Sequence, residues 1–346
     1  METPPNRRTE RSGRFRLEQA RAGDEQAFRV LVAPHLRELH VHCYRMLGSL
    51  ADAEDLMQET LTAAWRALDG FAGRSSIRTW LYRIATNRCL NAIRDAKRRA
   101  PPEPVPPFDP PAPSRRGEVT WLQPYPDAWL ERAPDRTPGP EATYQARETV
   151  ELAFIVALQR LPPRQTAALV LCDVLDFPTT DAATMLDTSP TAIKGLLQRA
   201  RASMARQRGP ADNRELPTSG SAHDQDIALR FASAFVADDL DAVVALLTDD
   251  AWLAMPPAPH EYHGPEAIAA FLRTSARWRG RRQVRLVPTR ANTQPAFGHY
   301  LTQPDGSTAR AIGLLVLSLA NDRISGMTRF LDPGLPLIFG LADTLD

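Results

Sequence analysis

Thirteen of the 31 prolines in this 346-residue chain fall between Ala100 and Pro140, in a stretch that opens Pro101-Pro102-Glu103-Pro104-Val105-Pro106-Pro107 and closes Pro138-Gly139-Pro140. Proline fixes its own φ, lacks a backbone N–H and keeps the residue before it out of the helical region, so neither a helix nor a central strand runs through such density. The stretch is expected to be an extended or irregular linker, and the residues on either side must fold as separate parts. Inside it, Trp121-Leu122-Gln123-Pro124-Tyr125-Pro126-Asp127-Ala128-Trp129 carries more aromatic surface than a solvated linker needs and is expected to dock on something folded. A second polar stretch over 208–224 is poor in aromatic residues and reads as another linker. The expected order is a disordered polar tail over 1–16, a helical domain over 17–99, the proline-rich linker over 100–140, a second helical domain over 141–208, a short linker over 209–224 and an α+β domain over 225–346.

The first helical domain joins two helices of opposite chemistry. One opens Asp52-Ala53-Glu54-Asp55-Leu56-Met57-Gln58-Glu59 and repeats apolar residues at Leu56, Met57, Leu61, Ala64 and Leu68, which buries one stripe and leaves Asp52, Asp55, Glu59 and Arg66 along another. That acidic stripe suits a basic partner. The other runs through Thr79-Trp80-Leu81 in a segment, Arg74 to Arg99, with eight Lys/Arg against Asp95 alone, +7 in a chain whose net charge is +1. Such a concentration favours a polyanion.

In the second helical domain Leu152, Ile155, Val156 and Leu158, then Ala168, Leu169, Leu171 and Leu175, supply buried faces. Toward its end a short helix is expected over 178–186, a turn at Asp187-Thr188 and a second helix from Ser189-Pro190, because Ser accepts from free first-turn amides and Pro tolerates the first helical position. Between Pro190 and Arg208 that helix holds Lys194, Arg199, Arg201, Arg206 and Arg208 with no acid, a charge of +5. Ala192, Ile193, Leu196, Leu197 and Ala200 make its inward stripe and leave Thr191, Lys194, Gly195, Gln198 and Arg201 to DNA, as in a helix-turn-helix whose second helix enters the major groove while arginines hold phosphates. Taken alone, the segment reads equally as a structural hairpin with a basic solvated end. A second basic helix, an acidic partner-binding face and the proline linker between them are hard to explain in a one-site DNA binder and favour a tandem arrangement.

After 224 the pattern changes to two short helices (225–237 and 239–247), a strand over 251–255, a helix over 265–276 and strands over 284–289, 296–302, 310–320 and 323–331, the last two joined by Asn321-Asp322. His260, Glu261, Tyr262 and His263 offer acid/base groups but lie beside Pro256, Pro257 and Pro259 and read as a solvated loop. His35, His40, His42 and Cys43 are close in sequence yet point different ways around a helix, so no metal is expected, and without a phosphate-binding glycine loop or a nucleophile elbow no cofactor is expected either. Cys43, Cys89 and Cys172 lie far apart without a Cys-x-x-Cys pair, which fits a reducing cytoplasm. The Arg-rich polar start and the lack of a long apolar run predict neither secretion nor a membrane span.

The motif Asp-Ala-Glu-Asp-x-x-Gln-Glu at 52–59, the run Thr79-Trp80-Leu81-Tyr82-Arg83-Ile84-Ala85-Thr86-Asn87 and the sequence Leu161-Pro162-Pro163-Arg164-Gln165 together resemble the extracytoplasmic-function (ECF) group of sigma-70 RNA polymerase sigma factors, over about Phe28 to Gln207. The segment Trp121 to Asp127 and the added C-terminal domain are similar to the SigG-like actinobacterial subgroup. The resemblance implies two all-α domains, sigma region 2 and the helix-turn-helix sigma region 4. It places Asp52, Asp55, Gln58 and Glu59 against the β′ clamp helices of core RNA polymerase, with the β flap as a further contact. The loop Gly70 to Ser76, through Phe71, Gly73, Arg74, Ser75 and Ser76, would capture a base flipped from the −10 promoter element, with Trp80, Arg83, Asn87 and Asn91 along its path. On a helix with Leu81, Ile84 and Ala85, Trp80 also reads as core. Ser189, Thr191, Lys194, Gly195, Gln198, Arg199 and Arg201 would read the −35 element as duplex; Asp187 stands at a turn position where the family often has Gly.

Trp252-x-x-Met255-Pro256-Pro257 with Gly264-Pro265-Glu266-Ala267-Ile268 resembles the SnoaL-like branch of the α+β cone shared by nuclear transport factor 2 and ketosteroid isomerase. Such a cone encloses an apolar pocket, for which Trp252, Met255, Tyr262, Trp278, Phe297 and Tyr300 are candidates beside Phe271 and Phe330. The implied protein is a promoter-specificity subunit, not a catalyst, that binds core polymerase and promoter DNA. Its fused cone, with 11 Arg against 13 Asp/Glu, would contact the sigma domains and modulate them, with a small-molecule ligand or an anti-sigma factor as further partners. The alternatives are a polymerase-independent DNA-binding regulator with a small-molecule-sensing third domain and, behind it, an enzyme in the cone.

Overall fold

The computed structural model describes residues 15–96, 107–116, 122–131, 150–207, 222–320 and 322–346. Readings that rest on 1–14, Lys97, Arg98, Arg99, Trp121, 132–149, Arg208, 209–221 or Asn321 lie outside these residues. The chain divides into two compact units, a helical one ending at Gln207 and one built on the C-terminal part that also takes in residues of the proline-rich stretch.

In the helical unit α1 (15–21) precedes α2 (Glu25–Val32), whose start is set by Asp24 accepting from the amides of Gln26 and Ala27 at 2.9 and 3.0 Å. α3 (Leu36–Leu47) stops at Gly48, whose φ of 71° makes a left-handed cap, and α4 (Leu50–Arg66) starts at once because Ser49 Oγ accepts from the Asp52 amide at 3.1 Å. α4 buries Ala53, Leu56, Met57, Thr60 and Ala64; of the other expected apolar residues, Leu61 is half-buried and Leu68 is buried in a 3-10 turn past the helix end. α5 (Ile77–Ala96) packs Leu81, Ala85 and Cys89, all fully buried, against α3 and α4. His42 of α3 is also fully buried, with Nε2 2.8 Å from Thr86 Oγ1; burial, then the charges of Arg45 and Arg78, push its pKa down to about 3, so it packs as a neutral ring. Cys43 and Cys89, distant in sequence, meet here, and a hydrogen bond with Cys43 followed by burial keeps the Cys89 thiol protonated.

The unit resumes at Ala157, within α6 (Leu152–Gln159), and continues with α7 (Pro163–Leu169), a π-helical turn over Val170–Val174, α8 (Thr179–Met185) and α9 (Pro190–Gln207). Asp187, between α8 and α9, has φ 48°. A short polar side chain tolerates the left-handed region, so the turn forms without glycine. Ile193, Leu197 and Ala200 are buried and Leu196 is half-buried, whereas Ala192, expected inward, is exposed. A buried line through 193, 197 and 200 rotates position 192 about 100° off it. α8 packs on α5: Phe177, just before α8, meets Tyr82 edge to face at 5.0 Å, the Arg78 guanidinium lies 4.4 Å from the Phe177 ring centre, and Asn87 Nδ2 donates to the Met185 carbonyl at 3.2 Å.

The second unit is an α+β cone. Its sheet has the strand order β1 (Arg115–Arg116), β3 (Ala258–His263), β2 (Leu247–Met255), β7 (Arg323–Phe330), β6 (Ala309–Ala320), β5 (Gln294–Thr302), β4 (Val284–Ala291), with β8 (Thr344–Leu345) also on β6. Only β2 and β7 pair in parallel among the described strands. One sheet face carries Leu253, Met255, Phe297, Leu301, Leu315, Leu317 and Met327, and on it pack Phe231 of α10 (Ala222–Val236), Val243 of α11 (Leu240–Ala245), and Ile268 and Phe271 of α12 (Pro265–Arg279). Gly313, with φ 150°, is required where the backbone crosses β7, since a Cβ there would stand 1.9 Å from the Phe330 carbonyl oxygen.

Two expectations change here. Residues 260–263, read as a loop, lie in β3, because the register with β2 slips between Ala254 and Met255 and this irregularity absorbs Pro259. The proline-rich stretch is not merely a linker: Arg115 pairs opposite Glu261 on the sheet edge, Phe108 packs beside Phe271 and Trp278 at 5.6 and 5.7 Å, and Tyr262 donates to the Pro111 carbonyl at 2.8 Å. The aromatic segment docks as expected, on the β4–β5 turn. Asn292 Oδ1 accepts from the Tyr125 amide at 2.7 Å, its Nδ2 donates to Val150 O at 2.6 Å, and its amide donates to Tyr125 O at 2.8 Å. Asp127, at the start of a helical turn, accepts from the Thr293 amide at 2.7 Å and from Arg290 Nε at 3.0 Å.

Candidate nucleic-acid interface

The acidic residues of α4 lie where the helical period puts them. Asp52, Asp55, Gln58 and Glu59 are all exposed, opposite the buried Ala53, Leu56, Met57 and Thr60. Glu59 is shared: Arg88 of α5 donates to it at 2.6 Å, which leaves Asp52 and Asp55 as the acids of this face without an ion pair among the described residues.

The segment before α5 is built by a cap. Ser76 Oγ accepts from the Thr79 amide at 3.0 Å and fixes the start of the helix, so its hydroxyl is used locally. Gly73 takes φ 67°, with open space where a Cβ would stand, and Arg74 and Ser75 are exposed beside it. Phe71 is a correction to the contact set: it is buried, packed on Trp80 with ring centres 4.9 Å apart, because the 3-10 turn over Leu68–Gly70 folds it back over α5. Trp80 is therefore half core and half surface. Arg83, Asn87 and Asn91 are exposed one turn apart. Part of the positive charge is matched internally, Arg78 by Glu38 at 3.1 Å and Arg88 by Glu59, whereas Arg74 and Arg83 make no ion pair among the described residues.

At α9 an open groove of about 560 Å³ is lined by Arg164, Thr188, Ser189, Thr191, Ala192, Gly195, Leu196 and Arg199. Ser189 caps the helix by accepting from the Ala192 amide at 3.2 Å, and Thr191, Lys194 and Gln198 are exposed along it. Gly195 leaves room for the Arg199 guanidinium, whose Nη1 lies 3.4 Å from where a Cβ would be. Arg201 does not line the groove; it is held by Asp173 in a two-bonded fork at 2.8 and 2.7 Å. Arg164, at the groove wall, donates to the Leu186 carbonyl at 2.7 Å and was missed as a site residue although it stands in the Leu161–Gln165 motif.

Of the cone candidates, Met255, Tyr262 and Phe297 belong to the core and Trp278 packs against it, while Trp252 and Tyr300 face the other way. Strand alternation is the reason: Leu253 and Leu301 point inward, so their neighbours point out. Trp252 covers Gly326, where a Cβ would lie 2.4 Å from its ring, and Tyr300 donates to the Ala342 carbonyl at 2.6 Å. Glu261 and His263, 3.1 Å apart on β3, lie on the face opposite the inward Tyr262.

Both the helical unit and the cone match known families. Residues 31–99 match the family described as Sigma-70 region 2, residues 151–204 Sigma-70 region 4 and residues 228–327 the SnoaL-like domain. The chain is 42% identical to the ECF RNA polymerase sigma factor SigG of Mycobacterium tuberculosis, over 97% of its own length and 88% of that protein. The chain belongs to the ECF RNA polymerase sigma factors. SigJ of the same organism is a further relative, 30% identical over 66% of this chain and 67% of its own length. The crystal structure of SigJ shares the fold, with a TM-score of 0.58 at 22% identity over 90% of this chain and 100% of that one. As an ECF sigma factor, the protein directs promoter-specific transcription initiation by RNA polymerase. No helix among its described residues is long and apolar enough to cross a membrane.

Proposed function

We propose that this sigma factor docks the polymerase clamp through Asp52, Asp55 and Gln58, holds the opened −10 strand with Arg74, Ser75, Arg83 and Asn91, and reads the −35 duplex with the groove of Thr191, Lys194, Gln198 and Arg199. The observation that carries this reading is the segregation of charge within one helical unit: exposed acids on α4, and uncompensated cations at the loop before α5 and along α9. Backbone charge and base capture can hold a single strand open. Asn87 can join the −10 set only after its bond to Met185 is released. Trp80 supports the loop through Phe71. The cone modulates this activity in the cytoplasm.

Transcription with purified core polymerase tests the reading directly: promoter-dependent initiation is expected, and an absence of both initiation and core binding overturns it. Deleting the chain from Gly209 onward is expected to change the initiation rate. Equal rates for the deleted and full chains under every condition would remove the modulatory role.

A further inference from the structure

Three buried groups on the core side of the cone have no role in the contacts above. Arg329, on β7, is 6% exposed; among the described residues it makes no ion pair, its Nε has no hydrogen-bond partner, and its guanidinium carbon stands 5.7 Å from the Phe271 ring centre. His299, on β5, is 4% exposed, with Nε2 unpartnered among the described residues and its ring edge-on to Phe235 at 5.9 Å. Arg279, at the end of α12, donates to the exposed Asp238 but leaves its buried Nε unpartnered among the described residues.

The sheet register gathers them. His299 pairs with Gly313 and Arg329 with Leu315, so both flank the same part of β6, and each is two residues from a core residue, Phe297 or Met327, on the same face. Burial and then the charge of Arg279 lower the Arg329 pKa to about 10, which still leaves it charged at neutral pH, while burial and both arginines hold His299 far below its usual value and therefore neutral. A buried guanidinium without a carboxylate is costly, and an aliphatic side chain of similar volume would be more stable there. The Phe271 ring beside it, and the Phe235 ring beside His299, disfavour a strongly hydrated, multiply charged ion. A guanidinium fork matches one carboxylate with two parallel bonds, and a neutral imidazole can donate a further one.

We propose that the cone interior binds a small apolar organic acid, its carboxylate held by Arg329 beside His299 and Arg279 and its body against Phe235 and Phe271. The site rests on these residues alone and stands whether or not the cone modulates the sigma domains. The test is thermal melting of the full chain with benzoate, phenylacetate or hexanoate, each against its amide at matched ionic strength. At least one acid is expected to raise the melting temperature with increasing dose while its amide does not. Arg329→Met is expected to melt higher than the native chain without ligand and to lose the acid-dependent rise. Arg329→Lys, which keeps the charge but not the fork, guards against misfolding of the first variant and is expected to need about tenfold more acid for the same rise. No shift with any of the three acids, equal shifts with acids and amides, or an unchanged dose response in both variants overturns the proposal.

Discussion

At the scale of single residues, Asp187 and His42 show conformation and charge set by surroundings. Asp187 holds φ 48° in the turn before α9. Asp187→Gly is therefore expected to be neutral or slightly stabilising, and Asp187→Val to cost about 1–2 kcal/mol in urea unfolding of the helical unit. His42 has a folded pKa of about 3, below its unfolded value, so its contribution is fully present above pH 6.5 and is lost as pH falls through that value toward the folded pKa. The loss amounts to about 1.4 kcal/mol per pH unit. Urea midpoints at pH 7 and pH 5 should fall less steeply in His42→Gln than in the native chain; identical slopes would show that His42 is not the group concerned. The turn was legible from Asp187-Thr188 followed by Ser189-Pro190, but the neutral His42 was not, because its burial depends on α5, far along the chain.

At the scale of elements, α4 and α9 present surfaces that a helical period predicts, and α5 is where the period is insufficient. The exposed acids of α4 can be tested without disturbing Arg88: Asp52→Ala with Asp55→Ala is expected to weaken core-polymerase binding at least about tenfold while the melting temperature is kept. Unchanged affinity would remove the assignment. α5 carries Arg78 and Asn87 on a side that the chain's own α8 region covers, with Phe177 between them. Phe177→Ala is expected to cost about 3–5 kcal/mol and to increase protease cleavage between α7 and α8. Nothing in the helical pattern of α5 alone distinguishes a cation paired with Glu38, such as Arg78, from an unpaired one, such as Arg83. Ion pairing depends on which helix arrives opposite.

At the scale of the whole molecule, the proline-rich stretch is divided between connection and structure. Its described residues complete the cone: β1 extends the sheet edge, Phe108 meets α12, and Tyr125 and Asp127 are held by the β4–β5 turn. Asn292→Ala would leave the Tyr125 amide and Val150 carbonyl without their partner, at about 1–3 kcal/mol for each unsatisfied buried group. Limited proteolysis with mass analysis should then find cleavage within 122–131 that the native chain resists. A deletion from Gly209 removes this docking surface along with the cone, so the Asn292 variant separates loss of docking from loss of the domain.

By itself the sequence determined the breaks at proline, the helix cap at Ser189, the charged faces of α4 and α9, and the α+β character of the last third, because capping, φ restriction and apolar period act within a few residues. Only the tertiary structure decided that Trp252 and Tyr300 turn away from the core, that residues 258–263 join the sheet, that Phe71 is buried and that Arg329 makes no ion pair among the described residues. Those outcomes depend on strand register and on which distant groups share a low-dielectric space, and neither is set by neighbours along the chain.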